Sequence, residues 1–243
     1  MPLLPDKSVD MILCDLPYGT TACKWDTIIP FEPLWKEYKR IIKDNGAIVL
    51  TASQPFTSAL VMSNPDMFKY EWIWKKSRPS GMVLCKKQPM RNHENILVFY
   101  KNQSTYNPIM ETREYFTEAS KKMISNGLKT YRNTKDTIRN TDRTETKTIN
   151  ELRYPTTVKD FSSGSNQKGK LHPTQKPVAL FEYLIKTYTN EGDLVLDNCA
   201  GSGTTGIACL NTKRNFILIE KEEKYVDIAT KRIAEECKMK VLF

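Results

Sequence analysis

A chain of 243 residues has room for one substantial core with an accessory region, and too little for two full-sized enzymes. Its 37 Lys+Arg against 28 Asp+Glu leave a net charge of +9, which favours a polyanionic partner without identifying it. The six cysteines (Cys14, Cys23, Cys85, Cys199, Cys209, Cys237) show no CxxC pair or Cys/His spacing for zinc, no apolar run nears the ~20 residues that span a bilayer, and no signal-peptide pattern opens the chain. A reduced, cytoplasmic protein with no membrane partner is expected.

After a proline-bounded lead-in, Val9-Asp10-Met11-Ile12-Leu13-Cys14 reads as a buried strand that runs into the loop Asp15-Leu16-Pro17-Tyr18-Gly19. Apolar residues at Phe31, Leu34, Trp35, Tyr38, Ile41 and Ile42 predict a helix over 30–43, stopped by Asn45-Gly46. A short buried strand over 47–51, a helix over 54–63, an aromatic strand over 70–74 and a further strand over 95–100 follow. The last two flank the basic segment 75–91, with Lys75, Lys76, Arg78, Lys86, Lys87 and Arg91, which reads as a loop that touches phosphates or is simply solvated.

From Asn102 to Lys170 the apolar residues thin out, and thirteen Lys+Arg face eight Asp+Glu. Tyr106, Tyr115, Phe116, Tyr131, Tyr154 and Phe161 are interleaved with these charges, as on a surface that meets bases and backbone, although a partly disordered linker has the same composition. Beyond it, Pro177 opens a helix whose apolar face holds Phe181, Leu184, Ile185 and Tyr188. A strand over 194–197, a glycine-rich turn, a helix to about Leu210, a strand over 215–220 and a helix over 222–237 complete the chain. Strands alternating with helices imply an α/β fold with a mostly parallel sheet covered on both faces.

Two stretches suggest chemistry. A carboxylate at a strand end, followed by Pro17, Tyr18 and Gly19, suits an amine on a flat base, yet an ordinary Asp loop fits the same residues. The run Asp197-Asn198-Cys199-Ala200-Gly201-Ser202-Gly203-Thr204-Thr205 exposes backbone amides at a helix start, and Glu220 ends the next strand about 20 residues on, where an acid can take ribose hydroxyls or merely cap a turn. The chain has no G-x-x-x-x-G-K-[ST] motif, which argues against phosphoryl transfer. His93 and His172 read as structural hydrogen-bonding residues, and Cys14 as a buried strand residue without a catalytic part.

Asp15-Leu16-Pro17-Tyr18-Gly19, His172-Pro173-Thr174-Gln175-Lys176-Pro177 and Asp197 to Thr205, in this order, resemble the permuted beta-class DNA amino-methyltransferases along the whole chain. The resemblance implies a Rossmann-like methyltransferase fold with circularly permuted motifs: a catalytic half over 1–101, a target-recognition insert over 102–170 and a cofactor half over 171–243. It implies S-adenosylmethionine as methyl donor, duplex DNA as partner and the N6 of a flipped adenine as acceptor, with cytosine N4 as the alternative. Asp15 and the carbonyl of Leu16 would receive the amine, Pro17 would fix the turn and Tyr18 would stack on the base. Thr174, Gln175, Lys176 and Pro177 would line the methionine end of the cofactor, Asp197, Gly201, Ser202, Gly203 and Thr204 would cradle it, and Glu220 would hold its ribose.

Two departures from the family pattern stand out. Leu16 replaces the more usual first proline of Asp-Pro-Pro-Tyr, which the chemistry tolerates if only the backbone carbonyl is used. Family members usually begin with an additional strand, so a shortened start, weaker cofactor binding and an exposed sheet edge are expected. Such a chain could act only as a DNA-binding module, and methylation of RNA or of a protein glutamine is a further reading. Family members often pair through the core, which leaves a homodimer open; a restriction endonuclease partner is not legible.

Overall fold

The computed structural model describes residues 1–20, 26–112, 130–132, 146–148, 152–162 and 175–241. Thr174 and His172, and Tyr115 and Phe116 of the basic–aromatic segment, lie outside them. The chain divides into two compact units, 1–107 with 157–243, and 108–156.

The larger unit is built on one sheet. In chain order it contains β1 (Val9–Cys14), α1 (Phe31–Ile41), β2 (Ile42–Ala52), α2 (Phe56–Met62), β3 (Phe68–Ser80) and β4 (Arg91–Phe99). After the smaller unit come β9 (Val158–Phe161), α3 (Val178–Tyr188), β10 (Leu194–Asp197), α4 (Thr204–Thr212), β11 (Asn215–Leu218) and α5 (Glu223–Val241). The smaller unit has two antiparallel pairs, β5 (Glu111–Thr112) with β8 (Leu152–Arg153) and β6 (Thr130–Arg132) with β7 (Thr146–Thr148).

Seven strands pair in the order β11-β10-β1-β2-β4-β3-β9. β11, β10, β1 and β2 are parallel, β4 is antiparallel to both its neighbours, and β9 is parallel to β3. Period-two alternation explains the layers. Ile12 and Cys14 of β1 face a core with Leu34, Trp35 and Tyr38 of α1 and Phe56 and Leu60 of α2. Met11 and Leu13 face Leu180, Phe181, Leu184 and Ile185 of α3 and Ala208 and Cys209 of α4 on the other side. Every strand residue of β1 named here is fully buried, as expected of a parallel strand sandwiched between helices.

Three expectations change. The helix over 30–43 ends at Ile41, because Ile42 turns extended and pairs with Val9. Asn45-Gly46 therefore lies in β2 rather than stopping a helix; a Cβ on Gly46 would come within 2.8 Å of the Asp10 carbonyl and 2.7 Å of the Ile42 side chain. The basic segment 75–91 is mostly a hairpin arm, since β3 runs on to Ser80 and β4 starts at Arg91, with Lys75 opposite His93. Val158–Phe161, expected within the insert, is a strand of the main sheet, where Ile73 pairs with Val158.

A buried polar knot fastens α3 to the sheet. Trp72 Nε1 donates to the Tyr188 hydroxyl at 2.6 Å, which lies 2.9 Å from the Tyr70 hydroxyl. Tyr188→Phe should leave the Trp72 donor buried without a partner and cost about 2 kcal/mol of unfolding free energy in urea titrations.

Candidate functional site

β1 and β10 come from opposite ends of the chain yet are neighbours, with Met11 beside Val195 and Ile12 beside Leu196. Being parallel, they release the Asp15 loop and the Asp197 turn at the same edge of the sheet. Between these lies a cleft of about 730 Å³, a size that suits a nucleoside-bearing ligand. Its walls include Asp15, Leu16, Pro17, Tyr18, Gln175, Lys176, Asp197, Gly201, Ser202, Thr204 and Glu220. Gly203 stands just behind this lining as the residue before α4, and Pro177 stands directly before α3.

Asp15 is held by three side chains. Its Oδ2 accepts from Lys176 Nζ at 2.7 Å. Its Oδ1 accepts from the Thr51 hydroxyl and lies 2.8 Å from the Tyr18 hydroxyl. Lys176, 7% exposed, also lies 3.4 Å from Glu94 Oε2, whose other oxygen holds Lys76 at 2.5 Å. The result is an alternating ladder Asp15–Lys176–Glu94–Lys76. Burial pulls the Lys176 ammonium down, but the two carboxylates outweigh it and hold it above the ordinary lysine value. Burial, and then the charges of Asp15 and Glu94, push the Tyr18 phenol well up.

The rest of the loop is set by packing and by one acid. The Leu16 side chain is buried in the core with Trp35 and Leu50, so a leucine at this position serves the interior. The Tyr18 ring stacks on Phe56 at 5.3 Å between centroids, with Lys176 Nζ 5.5 Å from its centre. Asp26 accepts from the backbone N–H groups of Gly19 and Thr20 and so closes the loop.

In the second half of the site the carboxylates turn inward. Asp197, 2% exposed, accepts from the Cys199 N–H at 3.0 Å and from the Thr205 hydroxyl. Burial pushes its carboxyl up to about 6. Glu220 accepts from the backbone N–H groups of Gly201, Lys221 and Glu222, which binds the glycine turn to the end of β11. Arg232 of α5 donates to the Ser202 carbonyl and lies within 3.4 Å of the Ser202 and Thr204 hydroxyls. Gly203 takes φ +78° and supplies no side chain to cap α4, so the first N–H groups of that helix have no side-chain acceptor. A cofactor bound here would therefore meet mainly backbone donors at a helix start, together with the lone pairs that Glu220 has left.

Thr51, Glu94, Asp26 and Arg232 were not signalled as site residues by the sequence. Thr51 is the last residue but one of β2, the parallel neighbour of β1, and residues at the carboxyl ends of adjacent strands converge on such clefts. Glu94 is the lone acid between Lys75 and the apolar run of β4. His93 is exposed at the cleft and has no side-chain hydrogen bond among the described residues, unlike the structural part expected of it. Cys14 is fully buried, and burial raises its thiol well above the ordinary value, in keeping with a packing residue.

Residues 9–231 match a family model described as DNA methylase. DNA adenine methyltransferase YhdJ of Escherichia coli (strain K12) is 30% identical over 95% of this chain and 78% of its own length. Type II methyltransferase M.HpaI of Haemophilus parainfluenzae is 28% identical over 96% of this chain and 70% of its own. Among solved structures, the M1.HpyAVI–SAM complex has 24% identity and a TM-score of 0.60 over 93% of this chain and 89% of its own. The cytosine-N4-specific PvuII DNA methyltransferase has 14% identity and a TM-score of 0.62 over 97% and 86%, a likeness of fold.

Lys176→Met should strand two carboxylates in a poorly hydrated site and lower unfolding free energy by ~3 kcal/mol, whereas Lys176→Arg should lose less; urea midpoints decide. Because the folded state raises the Asp197 carboxyl from 3.8 to about 6, it binds more protons than the unfolded chain between those values. Stability should therefore fall across that window by about 3 kcal/mol as pH rises, and level off above it. Unfolding curves of Asp197→Asn, subtracted from those of the unsubstituted chain, isolate this dependence.

Proposed function

The chain belongs to the DNA methylase family, and from that membership we propose that it transfers a methyl group from S-adenosylmethionine to the N6 amine of a flipped adenine in duplex DNA. The observation that carries this reading is the Asp15 carboxylate, which stands at the end of β1 in the same cleft as the glycine turn of β10. The naming of similar proteins as adenine methyltransferases supports adenine over cytosine, as does an aspartate at the head of the tetrapeptide. A cytoplasmic location, where DNA is accessible, is part of this reading.

S-adenosylmethionine, when bound, would supply an electrophilic methyl group on a sulfonium, whose S–CH3 bond breaks with the electron pair left on sulfur as a neutral thioether. The uncapped start of α4, Gly201 and Gly203, the shared cleft and the remaining acceptor capacity of Glu220 fit such a nucleoside-bearing group, with Gln175, Lys176 and Pro177 toward its amino-acid end. Thr174 is assigned to the same end by resemblance alone.

Asp15 and the Leu16 carbonyl accept the two amine hydrogens and aim the nitrogen lone pair, so that rate enhancement comes chiefly from positioning. A carboxylate offers about four lone-pair directions. Three groups already approach Asp15, and Lys176 can lean toward Glu94 as the amine arrives. Lys176 holds Asp15 in place while Pro17 and Asp26 hold the loop. Once the nitrogen bears the methyl, its surplus proton passes to Asp15 or to water. We assign target recognition to the basic–aromatic region 102–170, of which 108–156 is the separate compact unit.

Expression in a methylation-deficient bacterial host, with modified bases mapped by single-molecule sequencing, should reveal N6-methyladenine in one recurring sequence. N4-methylcytosine there would move the acceptor, and an unmodified genome alongside soluble protein would overturn the reading. Asp15→Ala should lower transfer at least ~100-fold while DNA binding persists.

A further inference from the structure

The arm formed by β3 and β4 carries an apolar tip that nothing in the cleft chemistry uses. From Lys75 to His93 the sequence has six Lys+Arg and no Asp or Glu. Residues 81–89 are all exposed and none of them lines the cleft, so the end of the hairpin stands clear of it. Among the described residues, Arg78, Lys86, Lys87 and Arg91 make no ion pair. At the summit of this charged arm sit Met82, Val83 and Leu84, which are 68%, 97% and 42% exposed.

The summit is a built turn. Leu84 N–H donates to the Gly81 carbonyl at 3.0 Å, Cys85 N–H to Met82 at 3.1 Å and Lys87 N–H to Leu84 at 2.8 Å. Gly81 takes φ +92° to enter it. The turn thus holds three adjacent apolar side chains out in water at a fixed place, which is unfavourable unless something covers them.

The base of the same arm is a wall of the cleft, which Lys76, Arg78, Ser80, Arg91, His93 and Glu94 line together with Asp15. Lys76 even joins the ladder that ends on Asp15. A ligand that fills the cleft therefore meets the base of the arm. Positive stems with an apolar point match the two surfaces of a duplex, phosphates outside and stacked bases within.

Resting on the DNA methylase reading, we propose that Met82 and Val83 form a wedge that enters the base stack of duplex DNA and fills the gap left when the target base turns out into the cleft. Arg78, Lys86, Lys87 and Arg91 hold the flanking phosphates. The apolar side chains replace lost stacking contacts, so the open duplex is stabilised relative to the closed one without any contact to the reacting atoms.

The test uses the full chain and two synthetic duplexes that carry its mapped target sequence, one with the target base paired and one with it opposite an abasic position. Met82→Ser/Val83→Ser should lower kcat/KM about tenfold or more on the paired duplex, where the stack must be opened. On the abasic duplex, which opens easily, the loss should shrink to about threefold or less. A 2-aminopurine at the target position should brighten on binding the unsubstituted chain and stay dim with the double variant on the paired duplex. Equal losses on both duplexes, or none on either, would overturn the wedge. So would sedimentation showing that the tip joins two copies of the chain and that the double variant separates them. If the unsubstituted chain methylates neither duplex, the DNA methylase reading fails first, a result distinct from all of these.

Discussion

One ammonium group, that of Lys176, sits between two carboxylates and ties together parts of the chain that the sequence keeps far apart. Its bond to Asp15 spans 161 positions, and its second partner, Glu94, stands on the hairpin arm. Such a group is tolerable out of water only while its partners stay in place, because an unpaired charge there would cost several kcal/mol. The adjacency of β1 with β10, the register of β4 and the start of α3 must all be right at once for Lys176 to find both. Asp15 is therefore positioned by the whole sheet.

The acids at the other end of the cleft serve a different purpose. Asp197 and Glu220 direct all four of their oxygens at nearby backbone N–H groups and the Thr205 hydroxyl. They shape a loop that faces the cleft largely with main chain, which side-chain replacement alters only indirectly. Arg232 braces that loop from α5, and a Cβ on Gly203 would approach Ala229 to 2.9 Å, so the turn is fixed from behind as well. The cleft joins a side-chain half with a backbone half.

Much of this was legible in the residues. Apolar runs such as Met11 to Cys14 and Ile96 to Phe99 marked the buried strands, since a parallel or central strand is covered on both faces. Asp15 and the glycine turn were visible because loop chemistry at strand ends is local. Thr51, Glu94 and Asp26 were not, because their bearing on Asp15 and its loop depends on strand order and loop closure, which no short window encodes. The arm was hidden for a related reason: Lys75, Lys76 and Arg91 look like loop residues by composition, while cross-strand pairing through Ser80 and Arg91 keeps them extended. Asn45-Gly46 looked like a helix stop, yet the need for close approach to Asp10 explains that glycine.

The chain leaves the larger unit at Asn107 and rejoins it at Thr157. Asn107 N–H donates to the Thr187 carbonyl and its side chain to that of Thr189, while the Thr157 carbonyl accepts from Ile73. Both departure points are thus fastened to the sheet and α3 by bonds that do not involve what lies between. Closing a longer excursion costs only logarithmically more in entropy. The segment between these two fixed posts can accordingly change in length or composition at little cost to the larger unit.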